Sequence, residues 1–183
     1  LCAVLSFSAI KNNDKVGVIL FTNKVELFIP PKKGKKHVLR IIRELIKFEP
    51  IQKKTDINTA LIFLNNILNK KSIVFILSDF FDHNYHKSLN ILSRKHDVIG
   101  LRIYDSFEKN VKNIGFSLFY DMESKKKYWL DTSSKKVLLV IKDSYNKNVK
   151  YFRNSFLKSG ADFFDLESDE PYINKLLTFF KNR

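Results

Sequence analysis

The stretch Ser72-Ile-Val-Phe-Ile-Leu-Ser-Asp79 is an apolar run that stops abruptly at a hydroxyl and a carboxylate. A short apolar run bounded by turn residues predicts a buried β-strand. Open α/β proteins bind their ligands in the crevice outside the carboxyl ends of such strands. The stretch therefore predicts a strand of an α/β sheet and places a candidate ligand-binding carboxylate, Asp79, at its end.

A second hydroxyl and carboxylate pair, Thr55-Asp56, opens an apolar segment with helical spacing. Either residue could cap that helix by accepting a backbone N–H, which is a common use of Thr and Asp. Asp79 has an equally ordinary use as a residue that closes a strand in a turn. The occurrence of Thr-Asp at one helix start and Ser-Asp at the end of the next strand favours a shared crevice. Oxygen ligands of this kind suit a hard cation such as Mg²⁺.

Runs rich in Val, Ile and Phe alternate along the chain with segments of helical period, as in βαβ units. Besides the strand that ends at Asp79, strands are predicted over 16–21, 25–29, 98–104 and 162–166. The first two are joined by a short link, which predicts a hairpin and hence antiparallel pairing. We therefore predict an α/β fold: a doubly wound, mostly parallel sheet with one antiparallel edge strand.

Helices are predicted between these strands, over 37–48, from Thr55-Asp56 onwards, around 89–93, over 135–158 and over 171–181. Between Ile114 and Leu130 the apolar period falls to two, which predicts a β-hairpin insertion whose turn is Lys125-Lys126-Lys127. The sequence contains no repeat, low-complexity tract or linker. One domain over 1–183 is predicted.

Composition narrows the class of protein. The chain has 183 residues, of which 44% are hydrophobic, and this suits one domain with a substantial core. A single cysteine, Cys2, rules out an internal disulfide and a thiolate metal cluster, which favours the reducing cytoplasm. The longest apolar runs are too short to span a bilayer, so no membrane partner is predicted. With 5 glycines, neither a dinucleotide-binding motif nor a P-loop can be assembled.

The chain carries a formal net charge of +14 at pH 7. Clustered Lys and Arg could bind nucleic acid or an anionic membrane, because they neutralise phosphates. The excess is spread along the chain, however, and its two clusters, Lys32-Lys33-Gly34-Lys35-Lys36 and 125–127, flank predicted turns. Like-charge runs are usually solvated, and no pattern of interleaved aromatic and basic residues accompanies them. A nucleic-acid partner is therefore not expected.

Six segments follow one another along essentially the whole chain: V-G-V-I-L-F ending at Phe21, F-I-P-P ending at Pro31, T-D-I-N-T-A-L from Thr55, I-V-F-I-L-S-D-F ending at Phe80, R-K-H-D-V-I-G-L from Arg94 and S-D-E-P-Y from Ser168. Together they resemble the von Willebrand factor A-like, Rossmann-like domain of a bacterial family of unknown function, DUF58. Such domains carry a metal-ion-dependent adhesion site.

In that site, a D-x-S-x-S motif, a loop threonine and a later aspartate surround Mg²⁺ or Mn²⁺. The resemblance implies that Thr55 and Asp79 are metal ligands, and that Asp56 and Ser78 support them without touching the ion. It further implies a non-enzymatic protein-binding domain that assists protein assembly or maturation with a MoxR-type AAA+ ATPase. The metal would capture an acidic side chain of the protein partner.

The sequence departs from this family pattern at its start, because it contains no D-x-S-x-S. Its opening residues match the helix that should follow that motif, so we expect an N-terminally truncated domain whose Mg²⁺ or Mn²⁺ is weakly held or absent. Two alternatives remain open. One is a Mg²⁺-dependent phosphoesterase or nuclease that uses Asp79, Asp82 and Asp56, with lysines holding the phosphates. The other is a packing module without a site.

Overall fold

The computed structural model describes residues 1–52, 54–109, 111–120 and 127–181. They form a mixed α/β chain whose residues group into two compact units, Leu1–Ala60 and Leu61–Arg183. The strands are β1 (Val16–Phe21), β2 (Val25–Lys32), β3 (Ile73–Ser78), β4 (Asp97–Tyr104), β5 (Phe116–Tyr120), β6 (Lys127–Asp131) and β7 (Asp162–Glu167). The helices are α1 (Cys2–Lys11), α2 (Lys35–Lys47), α3 (Ile57–Ile67), α4 (His86–Lys95), α5 (Ser106–Lys109), α6 (Lys135–Ser159) and α7 (Tyr172–Lys181).

The first unit is built on the predicted hairpin, in which β1 and β2 pair antiparallel with Ile19 opposite Phe28. Gly17 is required here, because a Cβ at this position would meet the carbonyl oxygen of Ile29 at 2.9 Å. Helix α2 contributes Val38 and Ile41 to the buried core. The predicted hairpin and the helix that follows it are therefore confirmed, with the helix starting two residues earlier than expected.

The sheet organisation differs from the sequence prediction. We expected the hairpin to supply an antiparallel edge strand to one larger sheet, but β1 and β2 form a two-stranded sheet of their own. Within the described ranges, no strand pairs with both this hairpin and the parallel sheet. Because strand period is a local property, it identifies strands but leaves their long-range partners open. The single domain predicted over 1–183 stays a prediction.

The second unit contains a parallel three-stranded sheet in the order β3-β4-β7. Its central strand, β4, is almost completely buried, as expected of a parallel strand covered on both faces. The register places Ser78, Arg102 and Asp165 side by side across the three strands. These strands agree with the predicted ones to within one or two residues, and they end at the edge of the sheet where the candidate site was expected.

Close packing of α6 on β4 depends on Gly100. A Cβ at this position would lie 2.5 Å from the ring of Phe156, so only glycine fits. The same aromatic cluster includes Phe152 and the buried ring of Phe80, whose centroids are 4.4 Å apart. Helix α6 ends at Gly160, which adopts a left-handed conformation with φ of 64°. Phe80, the second residue after β3, is therefore held in place by its packing against α6.

The predicted hairpin insertion is also confirmed, as strands β5 and β6 pair antiparallel with Leu118 opposite Trp129. Of its expected lysine turn, Lys125 and Lys126 lie outside the described residues, and Lys127 begins β6. The short helix α5, which follows β4 directly, was not predicted from the sequence.

Candidate functional site

In the first unit, a carboxylate on the hairpin anchors the loop that leads to Thr55. Glu26 on β2 accepts hydrogen bonds from the Thr22 hydroxyl (2.6 Å) and from the backbone N–H groups of Ile51 (2.9 Å) and Gln52 (3.0 Å). The hydrogen bond from Thr22, followed by the one from Ile51, lowers the pKa of Glu26 below its ordinary value. The approach to Thr55 is therefore held to the hairpin by a charged acceptor.

Asp56 is the cap of helix α3. Its two carboxylate oxygens accept the backbone N–H of Thr59 (3.1 Å) and the hydroxyl of the same residue (2.8 Å). Its own N–H donates to the carbonyl of Thr22 at 3.0 Å. Thr55 and Asp56 are both half-buried. The ordinary use that the sequence offered for Asp56, as a helix cap, is therefore the use it has, and both of its oxygens are engaged.

In the second unit, Asp79 closes β3 in a tight turn. One of its oxygens accepts the N–H of Phe81 (3.1 Å) and the hydroxyl of Ser78 (3.3 Å), and the Ser78 oxygen in turn accepts the N–H of Phe80 (3.1 Å). Phe80 takes a left-handed φ of 57°, an uncommon conformation for a bulky residue, while its ring is 1% exposed. Burial of that ring keeps the turn in place and leaves the Asp79 carboxylate exposed at the sheet edge.

Two further carboxylates, Asp105 and Glu108, follow β4, and Glu108 lies within electrostatic reach of Asp79. Asp105 follows β4, where it caps α5 by accepting the N–H of Phe107 at 2.7 Å, and Glu108 lies within that helix. Burial, then the charges of Asp79 and Asp105, raise the pKa of Glu108, while Arg102 partly offsets this. One signal was available, because two parallel strands in succession end in aspartate. The sequence did not predict α5, the short helix that carries Glu108.

Arg102 forms a buried polar network beneath this edge. Its Nε donates to Asp165 at 2.5 Å, its Nη2 donates to the hydroxyl of Tyr145 at 3.3 Å, and its guanidinium lies 4.3 Å from the ring centre of Tyr104. Arg153, on α6, donates to the other oxygen of Asp165 at 2.6 Å. Burial acts to lower the pKa of Arg102, but its hydrogen bonds to Asp165 and Tyr145 outweigh burial and raise it. The guanidinium therefore stays charged.

The donors present fit a metal ion only loosely. Within the part of the chain that the structure describes, no three His, Cys, Asp or Glu side chains group in a way that could hold a metal. Asp56 has both oxygens engaged by Thr59, whereas Asp79 engages one oxygen in its turn. Mg²⁺ accepts one or two carboxylates when water completes its shell. Asp79 therefore has a carboxylate oxygen that its turn does not use.

Comparison with known proteins identifies the family. The model of a family described as "Protein of unknown function DUF58" matches residues 1–151. The chain belongs to this family. This confirms the family that the sequence motifs indicated. No curated protein matches this DUF58 chain. Among its described residues, no helix has the length and apolar character needed to cross a membrane.

Two solved structures resemble this DUF58 chain along nearly all of its length. One is the conserved hypothetical protein BatB from Bacteroides thetaiotaomicron, with a TM-score of 0.57 and 10% identity, covering 98% of this chain and 85% of BatB. The other is an aerotolerance-related membrane protein from Bacteroides fragilis with multiple mutations to serines. Its TM-score is 0.56 at 12% identity, and the match covers 99% of this chain and 87% of that protein. At these identities the likeness shows a shared fold alone.

Proposed function

We propose that this DUF58 chain is a non-enzymatic protein-binding domain of the von Willebrand factor A-like, doubly wound type. Thr55 and Asp79 would be ligands of Mg²⁺ or Mn²⁺, and Asp56 and Ser78 would hold the turns that carry them. The cation would capture an acidic side chain of a protein partner. The setting would be protein assembly or maturation in the cytoplasm, together with a MoxR-type AAA+ ATPase.

The exposure of the Asp79 carboxylate at the sheet edge is the observation that supports this proposal best. Its carboxylate is exposed at the carboxyl edge of a parallel sheet, where α/β proteins bind ligands, and a turn with a buried Phe80 holds it there. Burial, and then repulsion by the charges of Asp79 and Asp105, raises the pKa of the nearby Glu108. A divalent cation at this edge would relieve that repulsion, and Asp79 can accept one without giving up its turn.

Charge supports an acidic partner. A chain with a formal net charge of +14 attracts acidic proteins over long range and accelerates their association. A cation held mainly by water keeps exchangeable positions, and a partner carboxylate can enter one of them. Both the long-range attraction by the positive surface and the binding by the cation would favour an acidic partner. Added salt should weaken the long-range attraction far more than the binding of a carboxylate to the cation.

The test measures cation binding directly. Calorimetric titration of the chain with Mn²⁺ should give a weak binding isotherm that Asp79→Ala abolishes and Thr55→Ala weakens, whereas Thr55→Ser retains it. Asp143→Asn is the matched control, because this exposed carboxylate on α6 pairs only with Lys147 among the described residues. Equal Mn²⁺ binding by the parent chain, Asp79→Ala and Asp143→Asn would refute the proposal, as would the absence of Mn²⁺ binding to the parent chain.

A further inference from the structure

The second unit presents an aromatic surface that its own core does not use. Antiparallel pairing of β5 and β6 places Phe116, Leu118 and Tyr120 on the same face as Lys127, Trp129 and Asp131. We call these six residues the hairpin face. Its apolar members are 69%, 45%, 46% and 62% exposed for Phe116, Leu118, Tyr120 and Trp129, respectively. The rings of Phe116 and Trp129 stack with centroids 5.1 Å apart and planes at 8°.

The base of the hairpin is closed by hydrogen bonds between the residues that flank its two strands. The buried hydroxyl of Thr132 donates to the carbonyl of Gly115 and accepts the N–H of Ile114, both at 2.8 Å. On the opposite side, the ring of Phe119 stacks with Phe107 of α5 at 6.4 Å. The hairpin face is therefore the outward side of an anchored element, and its aromatic side chains are held in water.

Residue types on this face favour a lipid surface over a protein partner. Trp and Tyr concentrate at membrane interfaces, and lysine can lay its apolar stem along such a surface while its charge stays among the headgroups. Cores of protein interfaces, in contrast, are depleted in Lys and enriched in Arg. A five-residue strand is about 17 Å long. Such a face is far smaller than a stable protein interface, which takes about 20 to 30 residues a side.

The charges around the hairpin face indicate an anionic surface. Lys112 precedes β5, Lys127 lies on the face, and Lys135 and Lys136 begin α6, all of them exposed. The acidic member of the face, Asp131, lies opposite Phe116 and accepts hydrogen bonds from the backbone N–H and the hydroxyl of Ser133. Among the described residues of 111–136, these four lysines accompany a single aspartate, a positive excess that attracts acidic headgroups.

We propose that the hairpin face binds the surface of a membrane that contains anionic phospholipid. Contact is shallow, because a two-stranded sheet has outer backbone groups that need water or polar headgroups. It requires no spanning segment. The sequence predicted no membrane partner because its apolar runs are too short to span a bilayer. That criterion does not apply to a peripheral contact with the membrane surface. The proposal is independent of the cation site at Asp79.

The experiment uses Trp129, the single tryptophan of the chain, as its reporter. Vesicles of phosphatidylglycerol and phosphatidylcholine should shift its fluorescence to shorter wavelength and quench it when the acyl chains carry bromine. Pure phosphatidylcholine vesicles should do so far less. Phe116→Ser with Leu118→Ser, which keeps Trp129, should weaken vesicle binding about tenfold or more. Lys127→Ala should weaken it by a few fold, in a salt-dependent way.

Ile46→Ser is the matched control, since this residue is an 80% exposed isoleucine on α2, in the other unit. It should leave vesicle binding unchanged, and circular dichroism should show that every variant is folded. An unshifted Trp129 spectrum in anionic vesicles would overturn the proposal. A shift that grows with protein concentration without lipid would overturn it too, because it would assign the hairpin face to contact between copies of the chain. A shift of the Trp129 fluorescence that an acidic protein produces and anionic vesicles do not would also overturn the proposal.

Discussion

The turns at Thr55-Asp56 and Ser78-Asp79 have the same chemistry in sequence and different uses in structure. Asp56 gives both oxygens to Thr59 at the start of α3, whereas Asp79 gives one oxygen to its own turn and remains exposed. Both oxygens of Asp56 are used in capping α3, whereas Asp79 has an oxygen available at the sheet edge. A hydroxyl and a carboxylate in succession therefore indicate a candidate site only when the backbone leaves the carboxylate an oxygen to spare.

The largest effect is expected beneath the Asp79 turn, at Arg102. Arg102→Ala leaves the half-buried Asp165 without its buried partner and should lower the free energy of unfolding by about 3 to 5 kcal/mol. Arg153→Ala is the control, because Arg153 contacts the same carboxylate with a side chain that is 52% exposed, and it should cost about 1 kcal/mol or less. Urea unfolding measures both. Equal losses would show that the network does not depend on burial of Arg102.

The different roles of Asp56 and Asp79 can be tested by comparing how much the loss of each carboxylate lowers the free energy of unfolding. Asp56→Ala removes a helix cap and should lower the free energy of unfolding by about 1 kcal/mol. Asp79→Ala removes an exposed carboxylate from a turn and should change it by about 0.5 kcal/mol or less. Chemical unfolding of the two variants against the parent chain measures the difference. A larger loss for Asp79→Ala would mean that its carboxylate is structural and would reverse the roles given to the two turns.

The pKa of Glu108 tests whether Asp79 interacts electrostatically with this group. Burial and then the charges of Asp79 and Asp105 raise the pKa of Glu108, so Asp79→Asn should bring it back toward its ordinary value. A raised carboxyl pKa means that ionisation opposes folding, so this group's contribution to stability falls as the pH rises through the raised pKa. Carbon-detected NMR of the Glu108 carboxyl measures the shift. An unchanged pKa would show that Asp79 does not reach this cluster.

A smaller, local effect is expected in the loop before Thr55. Glu26→Gln weakens the charged acceptor that holds Ile51 and Gln52, so the amides of these residues should exchange faster with solvent. Because the pKa of Glu26 is lowered, its contribution is present above the ordinary value and is lost as the pH falls through the lowered one. Hydrogen exchange over this range measures the loss. Exchange that is indifferent to both the substitution and the pH would remove Glu26 from the loop's support.

Much of the fold followed from local pattern. The apolar run before Asp79 became β3, and the helical period over 135–158 became α6, one residue longer than predicted. Asp56 became the cap that its position before an apolar segment suggested. These features depend on residues close together in sequence, where period, capping and turn chemistry act directly.

Long-range arrangements could not be predicted in the same way. That β1 and β2 pair only with each other among the described strands depends on pairing partners that strand period does not specify. The partner of Arg102 lies 63 residues further along the chain. Helix α5 has 4 residues, too few to show a helical period, and without it Glu108 could not be placed near Asp79. Tertiary contacts, rather than composition, assembled the polar part of the sheet edge.

The central claim, that Asp79 rather than Asp56 is the open carboxylate, is tested most directly by Mn²⁺ broadening of amide NMR signals. A low concentration of Mn²⁺ should selectively broaden the amide signals of Phe80 and Phe81, beside the Asp79 turn, and Asp79→Asn should restore them. Asp143→Asn should leave the broadening intact. If these two signals stay sharp in the parent chain, or broaden equally after Asp79→Asn, Asp79 is not a cation ligand and the proposed site is contradicted.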